Sequence, residues 1–397
     1  MRLLRRYALM LSLLLLAGCG ADSPAPAPSN TPPPMTATSA PPPPTETPLP
    51  KPTTAPLHSA TPEPPSPTTQ AIATPTEPPL SPGGWAYVSD SEGGPPPRYD
   101  HSLVADTEGR QLVLFGGRGS GSSGTFGDTW IFDLEGEQWR EVAGQGPPAR
   151  FGAGAVYDGA NRRVLLVMGQ GESDFFNDVW AFDLETEAWT QLKANRVAED
   201  EPRPRYGQSA ALHKDGRVLI SHGFSDQGRF DDTWAFDPAT AKWVNITPHD
   251  GTIPLKRCLH ELAYDPQDDL LLMYGGCSSG FGPCPQGDLW ALDLTSGTWT
   301  ELQPQGEKPS PRSNPSLAYD SERRAIFLFG GKSESGAVSD TWVYSLASNA
   351  WTTVESEISP SPRSSQGTAY DPQQRRVYIA GGETREGPDM EVWFSGF

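Results

Sequence analysis

The sequence predicts an all-β protein built from six tandem units of four strands each. The first observation is a pair of tryptophans, spaced nine residues apart, that recurs down the chain as Trp130/Trp139, Trp180/Trp189, Trp234/Trp243, Trp290/Trp299 and Trp342/Trp351. The second is a short apolar run upstream of each pair, such as 112–115, which closes on the small residues Gly116 and Gly117. A repeated unit that cannot bury its own apolar face must stack on copies of itself, so the repeat decides the fold.

The apolar runs give the length of the unit. They lie at 112–115, 164–168, 218–221, 270–274, 325–329 and 377–380. The residues that close them are Gly116, Gly169, His222, Gly275, Gly330 and Gly381, which stand 53, 53, 53, 55 and 51 residues apart. A step of this length accommodates four short strands and their turns.

Turn chemistry divides each unit into its strands. A first strand such as 153–157 ends at a turn, Asp158-Gly159, and the second is the apolar run, unbroken as expected for a strand buried on both faces. The third strand carries the first tryptophan and an ending such as Phe132-Asp133, and the fourth carries the second tryptophan. Nothing in the repeats reads as helix.

The two chain ends complement each other. The sixth unit has its third-strand tryptophan, Trp393, but the sequence ends at Phe397 before a fourth strand. Residues 84–88, with Trp85, match a fourth strand such as 139–142 in spacing. Pairing this segment with the last unit would remove two exposed sheet edges, so we expect it to close a ring.

Paired glycines, an acidic-x-Trp motif and a second tryptophan nine residues on resemble the kelch repeat. The resemblance covers residues 84–397 and occurs six times. It implies a six-bladed β-propeller, related to the central domain of galactose oxidase, whose blades pack around a central channel.

The first residues are typical of an export signal. Residues 1–6 are basic, 7–17 are apolar and too few to span a bilayer, and Leu16-Ala17-Gly18-Cys19 resembles a bacterial lipobox. We therefore expect residues 1–19 to form a lipoprotein signal peptide with Cys19 lipidated. An extracytoplasmic protein, lipid-anchored to a bacterial membrane and exposed at the cell surface, follows from this interpretation.

Residues 20–83 separate the signal from the repeats. They consist almost wholly of Pro, Thr, Ser and Ala, a composition that cannot form a core and favours an extended chain. The sequence thus predicts a disordered stalk, with the domain order signal 1–19, linker 20–83 and propeller 84–397. The formal net charge of −19 argues against a nucleic-acid partner and against adhesion to anionic lipid without the anchor.

Besides Cys19, three cysteines remain, Cys258, Cys277 and Cys284. Cys277 and Cys284 bracket one loop, and we favour a disulfide between them. Cys258 should lie beside Cys277 across the ladder, so a Cys258–Cys277 pairing stays open. No zinc-like spacing is present, and no metal or cofactor is predicted.

Each first strand is entered through a segment that ends in arginine. If the first strand is innermost, six arginines ring one mouth of the channel: Arg98, Arg150, Arg205, Arg257, Arg312 and Arg363. The acidic residues two before the third-strand tryptophans should lie on the same face. They could pair with the arginines and fix the loops, or the arginines could contact a ligand, as this position does in some kelch proteins.

Departures from the repeat point to a site more directly. After the arginine stand Tyr99, Phe151 and Tyr206 in blades 1–3, but Cys258, Ser313 and Ser364 in blades 4–6. Four residues before the third-strand tryptophan, Phe126, Phe176 and Phe230 likewise contrast with Gln286, Val338 and Asp389. His101 and His260 share one repeat position in opposite blades. We place the ligand-binding face on these arginines, aromatics and histidines.

Taken together, these features predict a surface lipoprotein whose propeller binds protein or carbohydrate and has no catalytic activity. The alternative is a carbohydrate-active enzyme, either a galactose-oxidase-like oxidase or a sugar mutarotase of the kind that acts on sialic acid. An acid/base pair in the channel would be needed, for which Glu261 and Arg257 are conceivable but no motif exists.

Overall fold

The computed structural model describes residues 84–121, 124–249 and 251–396. Within these residues six antiparallel sheets form successive blades; five of them have four strands and the sixth has five. The described residues belong to one compact unit. The predicted signal peptide, Cys19 and the predicted linker lie outside them.

Strands are numbered along the chain and run from the innermost to the outermost in each blade. Blade 1 is β2 (Ser102–Asp106), β3 (Gln111–Phe115), β4 (Thr129–Asp133) and β5 (Gln138–Glu141). Blade 2 is β6 (Gly154–Asp158), β7 (Arg163–Val167), β8 (Val179–Asp183) and β9 (Ala188–Lys193). Blade 3 is β10 (Ser209–Leu212), β11 (Val218–Ser221), β14 (Thr233–Asp237) and β15 (Lys242–Asn245), with the hairpin β12 (Phe224–Ser225) and β13 (Gly228–Arg229) between its middle strands.

The second half repeats this plan. Blade 4 is β16 (Glu261–Asp265), β17 (Leu270–Tyr274), β18 (Leu289–Asp293) and β19 (Thr298–Leu302). Blade 5 is β20 (Ser316–Asp320), β21 (Ala325–Phe329), β24 (Thr341–Ser345) and β25 (Ala350–Thr353), with the hairpin β22 (Lys332–Ser333) and β23 (Gly336–Ala337). Blade 6 is β27 (Gly367–Asp371), β28 (Arg376–Thr384), β29 (Gly387–Gly396) and β1 (Trp85–Ser89), and β26 (Arg363–Ser364) also pairs with β28.

Helical structure is sparse, as the sequence predicts. A 3-10 turn, Gly159–Asn161, follows β6. Within the described part of the chain, no helix is long and apolar enough to cross a membrane.

The apolar core lies between neighbouring blades. The second strands are buried on both faces, and in β3 Leu112 and Leu114 are fully inaccessible to solvent. These two leucines form a cluster with Tyr378 and Val392 of blade 6. Each interface buries apolar faces that a blade alone would expose, which is why the repeats depend on their neighbours.

The ring is closed by the first residues of the propeller. The first strands contact one another in the order β2, β6, β10, β16, β20, β27 and back to β2. At the outer edge of blade 6, β1 pairs antiparallel with β29, where Trp85 stands opposite Ser395 and Tyr87 opposite Trp393. The predicted closure is therefore confirmed.

Trp85 behaves as the missing fourth-strand tryptophan of blade 6. Its indole Nε1 donates to Thr341 Oγ1 of blade 5 at 2.9 Å. In blade 2, Trp189 Nε1 donates to Thr129 Oγ1 of blade 1 at the same distance. The split blade thus contacts its neighbour as an unbroken blade does.

The second glycine after each apolar run has a strict geometric role. Gly117, for example, has φ of +94°, and a Cβ on it would lie 2.9 Å from the carbonyl oxygen of Tyr99. The first glycine position is more permissive, since Met168 and His222 occupy it with positive φ. The second glycine lets the loop approach the residue after the arginine, and so positions the mouth of the channel.

Candidate ligand-binding face

The six repeat arginines lie inside the blades rather than on the channel surface. Each side chain is fully buried, with 0–1% of the residue exposed. In blade 1, Arg98 Nε donates to the Pro96 carbonyl at 3.1 Å and Nη1 donates to the Gly116 carbonyl at 2.9 Å. Its Nη1 and Nη2 also donate to Asp128 Oδ1 and Oδ2, at 2.6 and 2.8 Å. The arginine therefore ties the entry loop, the glycine turn and the third strand together.

This arrangement recurs in every blade. The arginine–acid pairs are Arg98–Asp128, Arg150–Asp178, Arg205–Asp232, Arg257–Asp288, Arg312–Asp340, and Arg363 with both Asp389 and Glu391. The same acidic side chain accepts a hydrogen bond from the tryptophan two residues on, as Trp130 Nε1 donates to Asp128 Oδ2 at 2.7 Å. The acidic-x-Trp motif is thus one half of a structural ion pair.

Electrostatics within these pairs follow from burial and contact. Burial would raise the pKa of Asp128, but the hydrogen bonds and charge of Arg98 outweigh it and the pKa is lowered. At blade 6 the balance differs, because two acids share one arginine. Burial and the neighbouring Glu391 raise the pKa of Asp389 to about 6, against the lowering effect of Arg363.

Phenylalanines cover the arginines in blades 1–3. Phe126, Phe176 and Phe230 lie four residues before the third-strand tryptophans, and the guanidinium carbons of Arg98, Arg150 and Arg205 stand 4.0–4.1 Å from their ring centroids. These are stacking distances for a cation and an aromatic face. At this position, blades 1–3 therefore differ from blades 4–6 in what packs against the buried arginine.

That the six arginines contact a ligand stays a prediction. Because they are buried, little of their surface is available for such a contact. Their guanidinium groups are occupied by carbonyls and carboxylates, so the arginines hold the mouth in shape. A ligand would meet the residues that they position.

Those residues form a continuous arc across the mouth of blades 1–3, which we call the aromatic arc: Tyr99, Arg118, Phe151, Phe175, Tyr206 and Phe224. Arg118 lies between the rings of Tyr99 and Phe151, at 4.7 and 4.3 Å from their centroids. The ring of Tyr206 then meets Phe151 at 5.5 Å, Phe175 at 6.1 Å and Phe224 at 5.8 Å. All three aromatics predicted for the face, Tyr99, Phe151 and Tyr206, belong to it.

The arc is partly open to solvent. Phe151 is buried, whereas Tyr99, Phe175, Tyr206 and Phe224 are each partly exposed. Arg118 keeps 39% of its side chain accessible while it pairs with Asp100 at 3.0 Å. The sequence does not point to Phe175 and Phe224, because they lie in connections between the second and third strands that differ from blade to blade. The available signal is their position: Phe224 directly follows Gly223, and Phe175 bridges to Gln170, which directly follows Gly169.

The histidines are packing residues of the blade interfaces. Burial lowers the pKa of His101 to about 3 and that of His260 well below its usual range, so both rings are neutral. His260 packs beside His222 with ring centroids 5.6 Å apart, and a Cβ on Gly367 would lie 2.4 Å from His101 Nε2. Across the described residues, no group of three or more His, Cys, Asp or Glu side chains is placed to hold a metal ion.

Cysteines lie at the edge of the arc. Cys277 and Cys284 form a disulfide, and Cys258 is a buried free thiol that faces Cys277 across an antiparallel bridge. Arg229 connects this corner to the arc. It donates to the Cys277 and Ser279 carbonyls at 3.0 and 2.8 Å and stands over the ring of Phe224.

A ring of backbone hydrogen bonds surrounds the channel just inside the mouth. Its members are the residues two after each arginine: Asp100, Gly152, Gly207, Leu259, Asn314 and Ser365. Each donates its N–H to the carbonyl of the member in the preceding blade, at 2.7–3.1 Å, and the circle closes from Asp100 to Ser365. All six have positive φ, between 48° and 63°. Only two are glycine, so the other four carry the strain of a left-handed conformation.

Below this ring lies a cavity of about 200 Å³. Glu261 lines it, and its Oε2 accepts a hydrogen bond from Ser209 Oγ at 3.0 Å. Burial raises the pKa of Glu261 to about 7. Arg257, the partner considered for catalysis, is held by Asp288 inside blade 4 and does not join Glu261.

The described residues therefore form a six-bladed β-propeller closed by its N-terminal strand, with a shaped mouth on one face. The chain belongs to the kelch-repeat family: residues 83–276 and 246–394 match the KLHDC2/KLHL20/DRC7 Kelch-repeats domain. Propellers of this family are typically protein-interaction domains.

Curated relatives agree with this assignment at low identity. The chain is 27% identical to Adagio-like protein 1 of Oryza sativa subsp. japonica over 285 residues, which cover 67% of this chain and 44% of that protein. It is 28% identical to Host cell factor 1 of Homo sapiens over 258 residues, 60% of this chain and 12% of that protein. The match thus spans less than half the length of these relatives.

Proposed function

We propose that this protein is a lipid-anchored surface protein whose kelch propeller binds a protein partner through the aromatic arc. The arc itself carries the proposal. It combines four partly exposed aromatic rings with an accessible arginine, and aromatic and arginine side chains dominate the binding energy of protein interfaces.

The arc is also pre-organised. Arg118 is fixed by Asp100 and by the two rings that flank it, and the loops beneath are tied by the buried arginine pairs. Side chains already held in one geometry lose less entropy when a partner binds. This supports binding at the arc rather than at the more polar rim of blades 4–6.

Photo-crosslinking tests the choice of face. A benzophenone amino acid is placed at Phe175 in the arc or, as the control, at Tyr87, which is 46% exposed on the outer strand β1. A partner captured from the Phe175 position is then titrated against Tyr206→Ala and Tyr87→Ala. We expect Tyr206→Ala to weaken binding at least about tenfold and Tyr87→Ala to leave it unchanged. Capture from both positions with unchanged affinity in both variants would refute the arc.

Glycan binding is the other proposed use of this face, since aromatic rings also stack on sugars. A glycan array probed with the same two variants distinguishes the ligand classes. A glycan signal that Tyr206→Ala removes, without a crosslinked protein, would replace the protein partner by a carbohydrate.

We place the protein outside the cytoplasm, anchored through Cys19 to a bacterial membrane. Two observations support this location: the lipobox-like Leu16-Ala17-Gly18-Cys19 and the disulfide between Cys277 and Cys284, a bond that persists in oxidising compartments. Cys19→Ser should move the protein from the detergent phase to the aqueous phase on Triton X-114 partitioning. Partitioning that is unchanged by Cys19→Ser would refute the anchor.

Binding is proposed in preference to catalysis. Glu261 has a pKa suited to acid/base chemistry near neutral pH, but its hydrogen-bond partner is a serine hydroxyl. Arg257 is occupied by Asp288, and His260 is buried between blades. Turnover in a mutarotation assay on common sugars would overturn this choice.

A further inference from the structure

The channel carries a charged side chain that the other blades lack. At the position four after the repeat arginine, blade 4 has Glu261, whereas the other five blades have serine or glycine: Ser102, Gly154, Ser209, Ser316 and Gly367. The small residues pack against the next blade, as a Cβ on Gly154 would lie 2.7 Å from Ala210 Cβ. Glu261 instead has its carboxyl beside Ser209 of the preceding blade, where it lines the cavity.

Half of this carboxyl is left for a ligand. Ser209 Oγ donates its one proton to Glu261 Oε2 and itself accepts the Leu262 N–H at 3.0 Å. Among the described residues, no arginine, lysine or histidine lies within ion-pair distance of Glu261, and Oε1 receives no protein hydrogen bond. Glu261 is partly buried, and a carboxylate that lines a confined cavity without a cation is stabilised by a cationic ligand.

The cavity is open to the mouth and suits a small group. Its wall runs from the hydrogen-bonded ring, including Leu259, Asn314 and Ser365, down to Glu261. The neighbouring Asp100 adds negative potential, although Arg118 pairs with it, and the chain as a whole carries −19. Negative charge in a narrow opening concentrates cations there.

We propose that this cavity is a binding site for an alkylammonium group, with the Glu261 carboxylate as its counter-ion. A volume of about 200 Å³ holds an ammonium with a short alkyl chain. The group belongs either to a free small amine or to a lysine side chain inserted through the mouth. The second source rests on the proposed protein binding at the arc, whereas the first does not.

Binding should depend on pH through Glu261. Ser209 does not titrate near neutrality and His260 stays neutral, whereas burial raises the pKa of Asp100 against the lowering effect of its partner Arg118. Burial holds the pKa of Glu261 at about 7, so the carboxylate form that binds a cation is lost as the pH falls below 7. The amine remains charged throughout, and affinity should drop roughly tenfold between pH 8 and pH 6.

Calorimetric titration of the full chain tests the site with two probes, n-propylammonium chloride and a capped Gly-Gly-Lys-Gly-Gly peptide, at pH 8 and pH 6. Glu261→Gln keeps an acceptor for Ser209 and removes the charge, and Glu334→Gln removes an exposed carboxylate of the same face as the matched control. We expect the probes to bind the unmodified chain. Glu261→Gln should weaken this binding at least tenfold, and Glu334→Gln should leave it unchanged.

The outcomes separate the sources. Binding of propylammonium with this dependence establishes a site for free amines, and binding of the peptide alone assigns it to lysine side chains. Absence of binding by both probes, or binding that Glu261→Gln leaves unchanged while thermal unfolding shows a folded variant, overturns the proposal. Tyr206 of the arc also lines the cavity, but the counter-ion Glu261 is not part of the arc, so binding of free propylammonium does not require a protein partner.

Discussion

Blades 1–3 and blades 4–6 share one frame and differ in what they place on it. Both halves bury an arginine against an acid that also accepts a hydrogen bond from an indole, yet the first half covers the arginine with a phenylalanine and presents aromatics at the mouth. The second half has Gln286, Val338 and Asp389 at the covering position, and cysteine or serine after the arginine. The ion pair therefore sets the blade, and the neighbouring positions are free to specialise.

The largest expected effect concerns the ion pair itself. Arg150→Ala removes the cation that pairs with Asp178, whose side chain is 3% exposed, whereas Arg312→Ala removes the cation that pairs with Asp340, which is 40% exposed. We expect Arg150→Ala to lower the free energy of unfolding by about 3–5 kcal/mol and Arg312→Ala by clearly less, because water can solvate Asp340. Urea denaturation at pH 7 measures both. Equal losses would show that the loss of stability does not depend on how exposed the remaining acid is.

A smaller effect, of opposite sign, concerns the one charged channel position in the second half. The pKa of Glu261 in the folded protein is about 7, against 4.5 ordinarily. Its contribution to stability is therefore fully present below pH 4.5 and is lost as the pH rises through 7. Glu261→Gln should raise the free energy of unfolding by up to about 3 kcal/mol at pH 8 and leave it unchanged at pH 4. Thermal unfolding across this range checks it, and a gain that is independent of pH would contradict the assignment.

The smallest effect concerns the aromatic cover. Phe176→Val gives blade 2 the residue that blade 5 has at Val338, and removes the ring that stacks on Arg150 at 4.0 Å. We expect a loss of about 1 kcal/mol in urea denaturation with the ion pair retained. A loss as large as that of Arg150→Ala would mean that blade 2 depends on the phenylalanine as much as on the ion pair, unlike blade 5, which has valine there.

The scaffold can be predicted from the sequence because the same spacing of tryptophans, glycines and apolar runs recurs in six units. Strand order, buried second strands and closure by Trp85 all follow from spacings that recur. Pairing of the arginines with the acids two before the tryptophans was one of two open interpretations, and the buried contacts support it. The pairing of Cys277 with Cys284 was likewise favoured over an open alternative, and the structure contains it.

The mouth was harder to predict for physical reasons. The hydrogen-bonded ring has Gly152 and Gly207 but also Asp100 and Leu259, so residue type does not reveal the shared left-handed backbone. Phe175 and Phe224 reach the arc from loops of different length, and only the fold brings them to Tyr206. From the sequence, Glu261 is considered only as a conceivable acid/base residue; aligning the position four after each arginine marks it further as the one charged residue there.

The ring of six backbone hydrogen bonds has a mechanical consequence. The angles between neighbouring blades must add up to one full turn, since Asp100 bonds back to Ser365 and the circle has no free end. A partner that wedges two blades apart on the aromatic side must then crowd blades elsewhere on the circumference. The two halves of the mouth, which present different side chains, are therefore coupled through the geometry of a closed hoop.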